Sequence, residues 1–284
     1  MPRRRTTRLA GAFTYLELLI VLVVLAILVA ILLPILIRMR ESKNRQICAG
    51  QLRSIGQALQ MYANDNKGAY PRTTHAPGTT VIPTWGTGAA ATDPFGPRGP
   101  APNDVTAALF LLIRTQDITP EIFTCPSTDQ EKWDFGGGRN TALNWSNFSD
   151  VRRQLSYSVQ NRYHSDGFEA AMRSRFMGWR GPSAEDAVAS DMNPGNTGGT
   201  INVTTVTTVS TAKDMKLANS RNHNSDGQNV LYADGHVSFT TNPFVGIKRD
   251  NIFTTKNEKH ALSGGPIFES PFDGDDSILL PTSQ

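Results

Sequence analysis

An uncharged apolar run near the amino terminus dominates the hydrophobic pattern of this chain. Twenty consecutive residues, 18–37, carry neither a charge nor a polar side chain. A helix needs about 20 such residues to cross the ~30 Å hydrocarbon core of a bilayer. One carboxylate, Glu17, stands directly before the run, and a charge at the edge of lipid needs a partner or a function. The pattern therefore predicts a transmembrane helix over about residues 16–37.

Beyond this run, the apolar residues take the spacing of a helix with one buried face. They recur, with polar residues between them, at Ile47, Leu52, Ile55, Leu59 and Tyr62. Such a stripe predicts that the same helix continues and packs against a globular domain. A glycine at 68 followed by a proline at 71 predicts the end of the helix near residue 66.

The remaining sequence predicts short elements joined by long loops. Residues 72–104 are rich in Gly, Pro, Thr and Ala, which is typical of a surface excursion with turns. A short helix is expected at 104–114 with Asp104 as its cap. Strands are expected at 155–159, at 187–191 and at 122–126, where the proline cuts the strand short. The alternation of Val with Thr at 200–211 predicts an exposed strand or a hairpin.

The segment NVLYADGHVSF, residues 229–239, predicts a β-hairpin. Asp234-Gly235 is the pair most typical of a two-residue turn, because Gly tolerates positive φ. That turn would place Tyr232 opposite Val237 and Val230 opposite Phe239. These four side chains would then share one packing face.

Composition and known motifs exclude several classes of function. The net charge of +3 over 284 residues is too small to indicate nucleic-acid binding, and its clearest cluster precedes the apolar run. The chain contains no HExxH, GxSxG, phosphate-binding-loop or dinucleotide-binding glycine pattern. We therefore expect no enzyme, no cofactor and no nucleic-acid partner.

Three interpretations of the amino terminus were compared. A secretory signal peptide has a shorter apolar core, and a generic anchor gives no reason for the sequence FTYLE. The third interpretation fits best, because the segment GAFTYLELLI resembles a type IV prepilin signal. The resemblance implies cleavage between Ala12 and Phe13, and N-methylation of Phe13, by a prepilin peptidase. The family more usually has Gly directly before the cut, whereas this chain has Gly11 followed by Ala12.

In this register, Glu17 is the fifth mature residue and Pro34 the twenty-second, where type IV pilins commonly have a helix-kinking proline. The implied organisation is a leader at 1–12, a helix at 13–66 and an exported globular domain at 67–284. The segment CAGQLRSIGQALQMYANDNKGAYP also resembles major pseudopilins and bacterial pilin-like proteins with an H-X9-DG carboxy-terminal domain. RNHNSDGQNVLYADGHV resembles that motif through His223, Asp234 and Gly235, although ten residues rather than nine separate His223 from Asp234.

The resemblance implies an α+β, pilin-like fold, in which a helix that is half transmembrane and half amphipathic packs on an antiparallel sheet with long irregular loops. The implied function is a structural subunit of a type II secretion pseudopilus or type IV pilus-like assembly. Its partners would be the membrane, the prepilin peptidase and other pilin-like subunits. It would be a single-pass protein of the bacterial inner membrane with a periplasmic domain. The alternative is an exported binding domain that uses the signal only as an anchor and does not polymerise.

The candidate chemical groups are few. In an exported domain, Cys48 and Cys125 form either a disulfide or two buried free thiols. His223, His236 and Asp234 suggest metal binding or acid–base chemistry, but the favoured interpretation is that Asp234 is a turn residue and that both histidines lie at the surface. The tail offers oxygen ligands of the kind that calcium prefers at Asp273, Asp275 and Asp276, but acidic tails are usually only solvated.

Overall fold

The computed structural model of the protein describes residues 14–76, 78, 81–165, 184–196, 198–256 and 266–283. The chain forms two compact units, Met1–Lys43 and Asn44–Gln284. One long helix and a five-stranded antiparallel sheet dominate the regular structure. The α+β class expected from the sequence is therefore confirmed.

The described part of the first unit is the beginning of helix α1, Tyr15–Asp65. Every side chain from residue 14 to residue 40 is exposed, and Pro34 lies inside the helix. Among the described residues, α1 is the one helix long and apolar enough to cross a membrane. Its bounds agree closely with the helix predicted at 13–66.

The second unit contains the end of α1, which packs as the apolar stripe predicts. The buried side chains of this half are Cys48, Leu52, Ile55, Ala58, Leu59 and Ala63. Ile47, which the sequence placed in the stripe, is 40% exposed. The helix ends at Asp65, and Gly68 follows with φ +85° while its N–H donates to the Ala63 carbonyl at 2.7 Å. This is the glycine stop expected from the sequence.

Helix α2, Val105–Thr115, is buried along most of its length. Its cap is Asp104, as predicted, and the carboxylate accepts from the backbone N–H groups of Thr106 and Ala107. The other carboxylate oxygen accepts from Thr87 N at 3.0 Å and Asn147 Nδ2 at 3.1 Å. One buried side chain therefore both starts α2 and ties down the end of the long 72–104 excursion.

The sheet has the strand order β4-β3-β2-β1-β5, and every neighbouring pair is antiparallel. The strands are β1 Tyr157–Gln160, β2 Ala187–Asp191, β3 Gln228–Tyr232, β4 Val237–Thr240 and β5 Leu279–Leu280. Strand β2 has the predicted bounds, and β1 overlaps the prediction at 155–159. The short helices are α3 Val151–Gln154 and α4 Ala212–Ala218.

Both faces of the sheet are covered. On one face, Leu231 and Val188 belong to a core with the second half of α1, with α2 and with the aromatic side chains of Phe110, Phe123, Trp133 and Phe148. On the other face, Val230 and Tyr232 belong to a second core with segments from the carboxy-terminal third of the chain, among them Val203, Met215, Ile252, Phe253 and Ile278. A sheet covered on both sides explains why strand β3 is buried at every residue.

The predicted hairpin exists, but its register is wrong by one residue. The turn has three residues, 233–235, because Tyr232 N donates to the His236 carbonyl at 3.0 Å and Gly235 takes φ +89°. Leu231 therefore lies opposite Val237, and Val230 opposite Ser238. Val237 consequently packs on the core of Leu231 while Val230 and Tyr232 belong to the other core, and the single packing face predicted from the sequence does not form.

The strand predicted at 200–211 is also wrong, since the described residues 198–211 form turns. Asn202 organises this segment: its Oδ1 accepts from Thr204 N at 2.8 Å and its Nδ2 donates to the Gly199 carbonyl at 2.8 Å. Asn and Thr side chains compete in this way with backbone pairing. At 122–126, the chain forms a 3-10 helix, Pro120–Phe123, in place of a strand, with Pro120 in its first turn.

Candidate functional site

Glu17 is bound by the residue that precedes helix α1. The Thr14 N–H donates to Glu17 Oε2 at 2.8 Å, and the Thr14 hydroxyl donates to the same oxygen at 2.9 Å. In return, Glu17 N donates to Thr14 Oγ1 at 3.3 Å. This reciprocal pair is a capping box, and the spacing Thr-x-x-Glu in FTYLE is the sequence signal for it. The expected processing residues Gly11, Ala12 and Phe13 lie outside the described residues.

His223 lies in the interior of the second unit, so its interpretation as a surface histidine is wrong. It ends the 3-10 helix Arg221–His223 and is fully buried. The next residues, Asn224 and Ser225, both take left-handed φ values, 57° and 58°.

The partner of His223 is Asp191, at the end of β2. His223 Nε2 is 3.2 Å from Asp191 Oδ2, and both side chains are fully buried. Asp191 Oδ2 also accepts from Asn229 N at 2.6 Å and Asn229 Nδ2 at 3.1 Å, and Oδ1 accepts from Asn222 Nδ2 at 3.3 Å. A buried carboxylate can accept about four hydrogen bonds, and here three N–H donors and the His223 ring nitrogen surround it. Asn229 Nδ2 also lies 3.2 Å from that ring nitrogen. The sequence indicated a buried strand ending in an acid at 187–191, but it did not indicate this network.

Cys48 and Cys125 are joined in a disulfide next to this pair. The bridge connects α1 to the second residue after the 3-10 helix Pro120–Phe123, with a Cα–Cα distance of 5.5 Å. The disulfide alternative is thus the one the structure contains. Gln51 reinforces the same junction, because its Nε2 donates to the carbonyls of Glu121 and Thr124 at 3.0 Å each.

Tyr157 connects the helix to the cluster from the side of β1. Its hydroxyl donates to Gln51 Oε1 at 2.6 Å, and its side chain is fully buried. Burial, and then the negative charge of Asp191, raise the pKa of Tyr157 well above its usual value. The phenol therefore stays protonated and acts as a fixed hydrogen-bond donor.

These residues form one compact group, which we call the cystine–histidine cluster: Cys48, Cys125, Asp191 and His223. One sulfur, oxygen or nitrogen atom from each lies within 4.8 Å of the others, and all four side chains are buried. Cys125 Sγ and Asp191 Oδ2 both approach the same ring nitrogen of His223, at 3.9 and 3.2 Å. A nucleophile–base–acid relay uses the two different ring nitrogens, so this geometry is not that relay.

The other half of the expected motif lies at the opposite end of β3. Asp234 Oδ1 accepts from His236 N at 3.0 Å and is 2.6 Å from His236 Nδ1. The His236 ring also stacks on Tyr232, with ring centroids 4.4 Å apart and planes 7° apart. Asp234 and Gly235 therefore form the hairpin turn, and the turn interpretation of Asp234 is confirmed, while His223 belongs to the buried cluster.

The three tail aspartates have protein partners. Asp273 pairs with Lys256 at 3.1 Å and Asp275 with Lys248 at 2.7 Å. Asp276 is buried and accepts from the N–H groups of Phe272 at 2.6 Å and Lys256 at 3.1 Å. Burial, with repulsion from nearby carboxylates, raises the pKa of Asp276 to about 7. Calcium binding at these residues stays a prediction.

No family model, curated protein or solved structure matches this chain. The resemblance to pilin-like proteins therefore depends on the residues quoted above, and function has to be argued from the chain itself.

Proposed function

We propose that this protein is a pilin-like structural subunit of a type II secretion pseudopilus or type IV pilus-like assembly. The observation that carries the proposal is helix α1, whose first half is apolar and exposed at every residue from 14 to 40 while its second half is packed in a folded domain. An exposed apolar helix of this length requires lipid or other apolar helices around it.

The disulfide supports an exported domain. Disulfides persist in the periplasm and outside the cell, and they are rare in the cytosol. Basic residues flank the apolar run on both sides, at Arg8 and at Arg38, Arg40 and Lys43, so charge does not fix the orientation. The cystine between Cys48 and Cys125 favours the orientation with the second unit outside.

The proposed assembly begins with cleavage after Ala12, which leaves a cationic amine on Phe13. In the filament, apolar helices of neighbouring subunits replace lipid around one another. The Glu17 carboxylate then pairs with the Phe13 amine of a neighbour, which offsets the cost of both charges in a medium of low dielectric constant. Within one chain, the capping box with Thr14 holds the carboxylate at the start of the helix.

Substitutions at Glu17 test the pairing. Glu17→Gln keeps an oxygen that can accept from Thr14 but removes the charge, whereas Glu17→Ala removes both. We expect both variants to be cleaved and both to fail in assembly, because loss of one partner of a buried ion pair costs about 3–5 kcal/mol. Glu41→Ala, in the same helix but beyond the apolar run, is the matched control and should assemble normally.

The amount of chain in a sheared filament fraction, relative to total chain, measures assembly. If Glu17→Gln assembles like the unchanged protein, the charge is not required and the capping box alone explains Glu17. If neither Glu17 variant differs from Glu41→Ala, the pairing is refuted. A protein that uses α1 only as an anchor would stay in the membrane fraction whatever stands at residue 17.

A further inference from the structure

The cystine–histidine cluster has a donor set that suits a metal ion as well as a disulfide. It provides two sulfur atoms, one imidazole nitrogen and one carboxylate oxygen, all within 4.8 Å of one another. Zinc binds Cys, His and Asp side chains in a tetrahedron, with bonds of about 2.0–2.3 Å. Such bonds place neighbouring donor atoms about 3.3–3.8 Å apart.

The distances in the cluster are close to those values. His223 Nε2 is 3.9 Å from Cys125 Sγ and 3.2 Å from Asp191 Oδ2. The carboxylate and the sulfur therefore already converge on the ring nitrogen that would bind the ion. The two sulfur atoms are the exception, because they are bonded to each other and would have to separate.

The surroundings of the cluster resemble the outer shell of a metal site. Asn229 and Asn222 donate to Asp191 and fix the direction of its carboxylate. Hydrogen bonds of this kind orient the ligands in metalloproteins. The rings of His223 and Phe239 pack in a T-shaped arrangement, with their centroids 5.9 Å apart. The Arg45 guanidinium lies 4.4 Å from the centroid of the Phe239 ring. The four ligand side chains are thus buried, and hydrogen bonds and an aromatic ring surround them.

We propose that the reduced chain binds one zinc ion through Cys48, Cys125, Asp191 and His223, and that disulfide formation excludes the ion. A dithiol reductant supplies two electrons and two protons to the disulfide, becomes a disulfide itself and leaves two cysteine thiols. Zinc then binds the two thiolates, the imidazole and the carboxylate, and the two thiol protons pass to solvent. A disulfide oxidant reverses the sequence: it takes two electrons from the zinc-bound thiolates and two protons from solvent, becomes a dithiol, and leaves the Cys48–Cys125 bond while the ion is released. The same four side chains therefore hold α1 against the sheet by a disulfide or by a metal.

The test uses the full chain in detergent micelles, oxidised or reduced with a phosphine, since dithiols themselves chelate zinc. After incubation with Zn²⁺ and desalting, metal analysis should find one zinc per chain in the reduced protein and none in the oxidised protein. Zinc should raise the thermal midpoint of the reduced protein only, because it binds the folded state. Co²⁺ in place of Zn²⁺ should give the thiolate-to-cobalt charge-transfer band of a tetrahedral site.

Variants separate a built site from metal captured by free thiols. Asp191→Asn and His223→Gln should each weaken zinc binding to the reduced protein by about tenfold or more, since each removes a ligand. His236→Gln alters an exposed histidine outside the cluster and should bind zinc unchanged. Where Asp191→Asn fails to fold, His223→Gln still tests the built site, and the Co²⁺ spectrum of the unchanged protein still reports the thiolate ligands.

Three results would overturn the proposal. The first is a reduced protein that takes up no zinc. The second is uptake without a thiolate charge-transfer band or without an increase in the thermal midpoint. The third is equal zinc binding by Asp191→Asn, His223→Gln and the unchanged protein.

Discussion

Reduction of the Cys48–Cys125 disulfide should destabilise the second unit more than any other single chemical change. The bridge closes a loop with a sequence separation of 77 residues. In the chain-entropy model, closing a loop of that length lowers the entropy of the unfolded chain and so raises its free energy by about 4.5 kcal/mol at 25 °C. Measured losses for native disulfides are about 2–5 kcal/mol, so we expect a value in the upper half of that range.

The folded state should survive reduction, which makes the measurement possible. Gln51 holds α1 to the carbonyls of Glu121 and Thr124, and to the Tyr157 hydroxyl, without the bridge. For a unit of about 240 residues, 1 kcal/mol corresponds to about 2–4 °C in the thermal midpoint. The expected decrease is therefore about 9–18 °C.

Tryptophan fluorescence is a suitable probe, because all four tryptophans of the chain lie beyond residue 44 and report on the second unit. The full chain in micelles would be unfolded with and without a phosphine reductant, in EDTA so that no metal replaces the bridge. Thiol titration should find two thiols after reduction and none before. The double variant Cys48→Ala/Cys125→Ala should show no response to the reductant. A decrease below about 2 °C, or an equal response by the double variant, would refute the reasoning.

Two further predictions concern packing and charge. Gly50→Ala and Gly56→Ala change the same half of α1, but a Cβ at 50 meets open space while a Cβ at 56 meets Leu231 at 3.1 Å. Alanine favours helix over glycine by about 1 kcal/mol, so Gly50→Ala should raise the free energy of unfolding in urea by roughly that amount. Gly56→Ala should have a free energy of unfolding about 1–3 kcal/mol below that of Gly50→Ala, because its methyl group crowds Leu231. Burial, and then the charge of Asp276, raise the pKa of Asp250 to about 9, and burial raises that of Asp276 to about 7. The folded state then binds more protons than the unfolded state, so the thermal midpoint in EDTA should fall as pH rises from 6 to 9, and Asp250→Asn should flatten that fall.

Each of these predictions has a clear contrary result. Equal stability of the two alanine variants would mean that α1 does not approach β3 as closely as the structure shows. A midpoint that is constant or rises between pH 6 and pH 9 would contradict the raised pKa values of the aspartate pair. Asp275→Asn is the matched control for the pH series, because Asp275 pairs with Lys248 and should leave the slope unchanged.

Local patterns in the sequence predicted much of the fold. The apolar stripe, the Gly68 stop and the Asp104 cap each depend on residues that are close along the chain, and each was confirmed. The short segment AVASD, which ends in an acid, also gave the bounds of β2. The predicted hairpin register was wrong because an Asp-Gly pair fits both a two-residue turn at 234–235 and the three-residue turn at 233–235 that the structure contains. One residue of difference placed Val237 on the face of Leu231, opposite the face of Val230 and Tyr232.

The cystine–histidine cluster could be predicted only in part. Its members come from α1, from the segment after a 3-10 helix, from the end of β2 and from the loop before β3. Cysteine count indicated the bridge, and the apolar strand ending in Asp191 indicated a buried acid. That the two features meet at His223 depends on strand order and on the path of α1 over the sheet, which no local pattern specifies.

The measurement that tests the central claim most directly is mass spectrometry of the amino-terminal peptide of this chain from sheared surface filaments. The account predicts that the filament fraction contains the chain and that its first residue is N-methylated Phe13. Recovery of the chain from membranes alone, or a chain in the filaments that begins at any other residue, would contradict it.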